Sequence, residues 1–291
     1  MTFEILGQCI IYGICLGSLY GLAAVGFSFV FGVMGVLNIA HGSLLMLGGY
    51  ATLFLFSLYN VDPFLSIPLA AAVVFLLGLL IYKGLFARVI KFAEAIKTNT
   101  SLLIAFGLIL LIDTGALLLF TADEQSVTPF YSGLGLQFFN LRLPYIRLGG
   151  FVVAAIMIFG LMLFLHKTYL GKSIRAVAEN WEAASLMGIS IDRAYLVSFG
   201  LAAALAAMAG SVVVVTYSIS PAMGMEWTLR AMIIMILAGM GSIGGTFVAG
   251  VLLGVIEVVS AIFIGPYMLV VGLVVFLLVL MFRPRGLFGR K

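Results

Sequence analysis

Apolar residues fall along the chain in nine runs, at about residues 7–33, 42–58, 64–82, 100–120, 148–165, 194–217, 229–241, 246–263 and 267–282. At about 1.5 Å per residue, most of these runs make helices long enough to cross a hydrocarbon core of about 30 Å. The run 229–241 is short, and with its neighbour it forms either one irregular span or two. The pattern predicts an all-α polytopic membrane protein. A single transmembrane domain over 1–291 would hold a bundle of eight or nine transmembrane helices with broken or re-entrant segments.

Small residues recur within these runs at helical spacing. Gly13, Gly17 and Gly21 share one face, as do Gly250 and Gly254, which predicts surfaces where another helix approaches closely. The Ala-rich run from Leu201 to Gly210 predicts a tightly enclosed helix, whereas the Phe and Leu residues of 74–86 are expected to face lipid.

Composition excludes a water-soluble domain, because a 291-residue chain that is 64% hydrophobic and 9% charged has too little polar surface to cover itself. The net charge of +4 does not indicate nucleic acid, since no basic arm exists and the cations are spread over separate loops. Lys83, Arg88, Lys91 and Lys97 fall in one loop, Lys167, Lys172, Arg175 and Arg193 in or beside another, and Arg283, Arg285, Arg290 and Lys291 in the tail. Only Arg142, Arg147 and Arg230 remain for the other side, with Asp62, Asp123, Glu124 and Glu226. The positive-inside rule then makes the three basic segments cytoplasmic; with nine spans the N-terminus is outside and the C-terminus inside. The first run has no positive n-region before it and is expected as a retained span. Cys9 and Cys15 lie on it facing different ways, so no disulfide is expected between them.

Polar interruptions mark the candidate chemistry. Between the first two runs, Asn38 and His41 sit among apolar neighbours with hardly any loop to hold them. Either this is a tight turn with one of them capping the next helix, or it is a broken helix lining a translocation path, where irregular backbone must be covered by protein. Gly239, Gly241, Gly244 and Gly245 make a second interruption in the opposite half, a pairing that suggests an inverted repeat. Asp113 and Glu257 lie inside apolar runs with no Lys or Arg in a comparable position. Each either lines the path, or is protonated or hydrogen-bonded to a neighbour, as Asp113 near Thr114 and Glu257 near Ser260. No metal site is expected, because the two histidines and two cysteines do not form a ligand set, and no nucleophile, base and orienting acid share a face.

The stretch 167–193 is the longest polar interruption on the basic side. It predicts a short amphipathic helix with Val177, Trp181, Ala184 and Met187 on one side and Arg175, Glu179 and Glu182 on the other, stopped by Gly188. Such a helix lies either on headgroups and its own bundle or against a soluble partner. Glu182, Ala183 and Ala184 followed by Gly188 resemble the EAA loop of ABC-importer permeases, which couples to the ATPase subunit. YGLAAVGFSFVFGVMGVLNIAHG (20–42), GKSIRAVAENWEAASLMGI (171–189), AGMGSIGGTFVAG (238–250) and FRPRGLFGR (282–290) resemble the LivH-type permease of branched-chain amino acid importers. The likeness is nearly end to end and weakest in the outer loop 121–147, whose QFFNLRLPY part predicts a short hairpin or an interfacial aromatic patch.

The resemblance implies a transport subunit in a bacterial inner (plasma) membrane, multi-pass and with a cytoplasmic C-terminus. Its implied partners are a second homologous permease, two ATP-binding cassette ATPase subunits, a periplasmic or extracellular solute-binding protein and membrane lipid. No cofactor and no catalytic residue are expected. Gly171-Lys172-Ser173 imitates the end of a P-loop, but position 166 is His166 where that motif requires Gly, so ATP would be hydrolysed by another polypeptide. Asn38, His41, Asp113, Gly241, Gly244 and Glu257 are the candidate translocation residues. Rival readings are a self-sufficient secondary transporter or channel using Asp113 and Glu257 as a relay, or the same permease type serving another small solute such as urea or an amide.

Overall fold

In a medium that offers no hydrogen bonds, each backbone amide needs an internal partner, and the long apolar runs accordingly fold as helices. The computed structural model describes residues 3–90, 94–138 and 141–289; Lys91, Phe139, Asn140, Arg290 and Lys291 of the readings above lie outside the described residues. In chain order the elements are α1 (Phe3–Met34), α2 (His41–Tyr59), α3 (Pro63–Ile81), a π turn at Tyr82–Phe86, the one-turn α4 (Ala87–Val89) and α5 (Glu94–Phe120). There follow the hairpin strands β1 (Gly135–Phe138) and β2 (Leu141–Pro144), then α6 (Tyr145–Lys167), α7 (Tyr169–Glu179), α8 (Trp181–Leu186) and α9 (Ile191–Thr216). The chain closes with α10 (Met223–Ala238), α11 (Ile243–Ile264), a 3-10 turn and α12 (Met268–Phe282). The expected hairpin forms with Leu136 opposite Leu143 and Gln137 opposite Arg142.

Among the described residues, 7 helices are long and apolar enough to cross a membrane: α1, α2, α3 with its continuation to Val89, α5, α6, α9 and α11. The shorter α10 and α12 have 16 and 15 residues. The sequence expectation of eight or nine spans therefore exceeds the number that length and composition support.

α1 and α9 are enclosed on nearly every side, while in α5, α6 and α11 fewer than a third of the residues in the apolar stretch are fully buried. The glycine faces explain one half of this arrangement. A β-carbon at Gly13 or Gly17 would lie 2.5 Å from the Cα of Val255 or Val251, so α1 and α11 touch backbone to backbone. The alanines explain the other half: Ala202, Ala203, Ala206, Ala207 and Ala209 are buried where α9 meets α1, α2 and α3, and a β-carbon at Gly78 would fall 2.7 Å from the Ala203 methyl. Outward, Leu76 and Leu80 are exposed as expected for lipid-facing positions, but Phe86 is fully buried. The π turn swings its ring inward onto Phe199, centroid to centroid 5.1 Å, which overrides its place in an otherwise outward-facing run.

The basic segments share one end of the bundle. Tyr82 beyond α3 bonds Asp192 at the start of α9 (2.9 Å), and the tail amides of Leu287 and Phe288 bond the Leu237 and Ala238 carbonyls at the end of α10. The opposite end is tied by the Gln8–Arg142 bonds and by the bridge between Gln125 and Ile219.

Two connections turn back into the bundle instead of staying at its ends. After α1, residues 35–40 run inward until the His41 ring meets the Ala23 carbonyl at 2.9 Å. Ala23 lies eleven residues before Met34, about 16 Å along the helix, so α2 begins well inside the bundle. After α9, residues 217–222 return in the same way, and α10 starts level with α2: the Gly42 amide donates to Thr228 Oγ1 at 2.9 Å. From that meeting point α2 runs to one end and α10 to the basic end, where Gly241 packs on Gly32 of α1.

Candidate functional site

At the basic end, Thr168 caps α7 by accepting the Gly171 amide (2.9 Å), and the helix runs only to Glu179. The single amphipathic helix expected from the sequence is two. Asn180 leaves the helical conformation and its Oδ1 accepts the Ala183 amide at 2.9 Å, starting α8. An Asn four residues before an Ala-Ser-Leu stretch is an N-cap signal that the apolar periodicity concealed. The break also changes which residues face inward. Val177 and Ala184 are buried, but Trp181 is 54% exposed and Met187 82%. The stop at Gly188 is as expected: its φ is +78°, and its amide and that of Ile189 bond the Ser185 and Ala184 carbonyls, closing a Schellman motif. Arg175, Glu179, Glu182 and Ala183 are exposed beside Trp181, so charged and apolar side chains share this surface.

Within the bundle, neither Asn38 nor His41 caps α2; the N-cap position is Ala40, with no side-chain bond. His41 is buried, edge-on to Phe27 and bonded to Ala23. Asn38 is buried with its Oδ1 unpartnered, as is Ser43 Oγ on the first turn of α2. Thr228 organises the junction by accepting the Gly42 amide and donating toward the Ile39 and Gly224 carbonyls. The backbone of 35–40 is thus irregular and covered at depth, with neither side chain capping α2. Its counterpart in the second half is 217–222, whereas Gly241 sits in the turn at the basic end and Gly244 on the first turn of α11, at a different level of the molecule.

The two intramembrane acids have different surroundings. Asp113 approaches Ser43 without hydrogen-bonding geometry, and its Oδ1 is buried without a partner. Glu257 is satisfied by a side chain far away in sequence: Tyr20 donates to its Oε2 at 2.9 Å, while Ser260 bonds only its backbone carbonyl. Tyr20 in turn accepts from Arg230, which pairs with Glu226 at 2.6 Å and lies over the Tyr20 and Trp227 rings at 5.0 and 5.8 Å. As expected, no Lys or Arg among the described residues pairs directly with Glu257, but Arg230 is linked to it through the Tyr20 hydroxyl. Sequence reasoning missed Tyr20 and Arg230 because each lies more than 200 residues from a partner. The one available signal was a lone Arg opening the apolar run 229–241.

Tyr20 and Arg230 of this relay form part of the wall of a cavity of about 400 Å³ bounded by α1, α9, α10, α12, Glu124 and the 217–222 connection. Tyr217, 38% exposed, also lines it. Among the described residues no group of three or more His, Cys, Asp or Glu is placed to hold a metal ion.

The family described as branched-chain amino acid transport system / permease component matches residues 9–282. The chain is 30% identical to the high-affinity branched-chain amino acid transport system permease protein BraD of Pseudomonas aeruginosa, covering 97% of this chain and 95% of that one. It is 28% identical to LivH of Salmonella typhimurium, covering 96% and 94%, and 29% identical to the probable branched-chain amino acid transport permease LivH of Methanocaldococcus jannaschii, covering 98% and 92%. No solved structure matches the chain significantly.

Proposed function

The chain belongs to the family of branched-chain amino acid transport permeases, and on that premise we propose that it is the membrane-spanning subunit of an ATP-binding cassette importer for branched-chain amino acids. The observation that carries this reading is the match from residue 9 to residue 282, which includes both inward-turning connections and the segment α7–α8. The partners of this assignment are a second homologous permease, two ATPase subunits and a solute-binding protein.

The basic end is the cytoplasmic one, supported by the asymmetry of Lys and Arg. Nine passages, with α10 and α12 completing the seven long helices, put the N-terminus outside and the C-terminus inside, in an inner-membrane setting. The whole chain then acts as one transmembrane domain. The surface of α7–α8 that exposes Arg175, Glu179, Trp181, Glu182 and Ala183 is the ATPase contact, with Ala184 and Gly188 fixing its shape. Closure of the ATPase pair pushes on this surface, and the junction of α2 and α10 at Gly42 and Thr228 separates or closes in response, giving alternating access. Asn38, His41, Asp113 and Glu257 lie along the route that opens, and Gly241 and Gly244 form its cytoplasmic hinge turn.

The test is copurification of the ATPase with the permease. Gly188 has open space around it but a positive φ, so Gly188→Val strains the backbone by about 1–2 kcal/mol without a clash. A contact that loses that much weakens about fivefold to thirtyfold. Glu182→Lys reverses an exposed charge in the same patch. Both variants should retain less ATPase and import more slowly. Undiminished copurification and coupling in both would remove α7–α8 as the docking surface.

A further inference from the structure

The cavity of about 400 Å³ falls within the range of small-ligand sites, about 300–1,000 Å³. It opens at the end opposite the basic one, where the described residues place Glu124 and Ser218, joined by a 2.6 Å bond. Its charges are arranged by depth. Arg230 sits inside, its side chain 18% exposed, whereas Glu226 is 58% exposed at the rim and Glu124 is exposed beside it. The remaining wall includes Leu16, Val213, Met223 and Met268, which offer no charge.

We propose that this cavity is a transient acceptor site for a zwitterionic amino acid with an apolar side chain. The carboxylate is bound by Arg230, the ammonium by Glu226 and Glu124, and the side chain by the apolar wall. The proposal rests on the permease reading above and assigns that permease a substrate contact of its own, separate from any selection made by a binding protein. A guanidinium has five N–H donors, and the bonds to Tyr20 and Glu226 account for two of them, so an incoming carboxylate finds further donors in a partly desolvated setting. The ring faces of Tyr20 and Trp227 and the Tyr20 bond to buried Glu257 hold that guanidinium in place before the ligand arrives. Tyr20 and Glu257 are therefore positioning residues. A sugar, urea or amide would supply no anion for Arg230 and no cation for the rim, which makes the charge pattern specific to one class among small solutes.

The experiment uses the complete complex reconstituted with its ATPase, second permease and loaded binding protein. Arg230→Gln and Glu226→Gln should each cut leucine uptake per ATP hydrolysed, the former about tenfold or more, with Arg230→Lys recovering part of it. In the same complex without binding protein, titration with leucine should change the fluorescence component that Trp227→Phe abolishes. 4-Methylpentanoate and 3-methylbutylamine, each carrying one of the two charges, should change it at least about tenfold less effectively. Glu226 is half exposed, so its substitution separates a lost contact from a folding defect. Wild-type uptake in both Arg230→Gln and Glu226→Gln, or analogues as effective as leucine, would overturn the site while leaving the permease assignment intact. A wild-type complex that hydrolyses ATP with loaded binding protein yet imports no branched-chain amino acid would overturn the assignment and the site together.

Discussion

Tyr20→Phe removes a single oxygen from the centre of the Arg230–Tyr20–Glu257 relay and leaves the packing shape unchanged. The groups left without a partner are Glu257, 3% exposed, where water does not replace the lost bond, and Arg230, whose side chain is 18% exposed to the cavity and is rehydrated in part. Hydrogen bonds to charged groups contribute about 1.5–3 kcal/mol each, and this hydroxyl makes two that share one oxygen, so the expected loss is about 2–4 kcal/mol. Glu257→Gln keeps an acceptor for Tyr20 and should cost about 1 kcal/mol or less. The double variant should cost less than the sum by about 1 kcal/mol, because the second change removes a partner already lost. Unfolding of the purified permease, followed by titrating a mild detergent with a denaturing one, measures all three. A Tyr20→Phe protein within about 0.5 kcal/mol of wild type, with additive effects in the double variant, would refute the relay as a stabilising network.

Gly17→Val should part α1 from α11, since its β-carbon would begin 2.5 Å from the Val251 Cα; a loss of about 1–3 kcal/mol or more is expected in thermal denaturation. Gly160→Val on α6, where nothing lies within 4 Å, is the matched control and should change little. Thr228→Val strips the Gly42 amide of its acceptor and the Ile39 carbonyl of its donor at the α2–α10 junction, costing about 1–3 kcal/mol. Faster hydrogen exchange over residues 38–44 is the readout, and unchanged protection there would deny Thr228 that role.

The spacing of apolar residues made the long helices legible, because a lipid environment forces continuous helices wherever a run is long enough. Glycine spacing likewise marked a close-approach face on α1 and another on α11, since only small residues let backbones meet, but not that the two faces meet each other. The helix break at Asn180 was hidden because Val177 and Ala184 keep one periodicity across it, and the capping bond of a single side chain decides the geometry. Phe86 was misplaced for a related reason: a π turn re-aims a ring without altering the composition of the run. The inward turn at Asn38 and His41 was visible as polar residues without a loop, but the matching turn at 217–222 contains no charged residue to mark it. The relay through Arg230 was beyond reach from the sequence, because only tertiary packing brings α1, α10 and α11 together at that point.

The central claim is that this chain conducts amino acids only when a separate ATPase drives it. Liposomes containing the chain with its second permease should accumulate no leucine under an imposed proton gradient, and should do so once the ATPase, ATP and loaded binding protein are added. Leucine accumulation driven by the proton gradient alone would contradict the account.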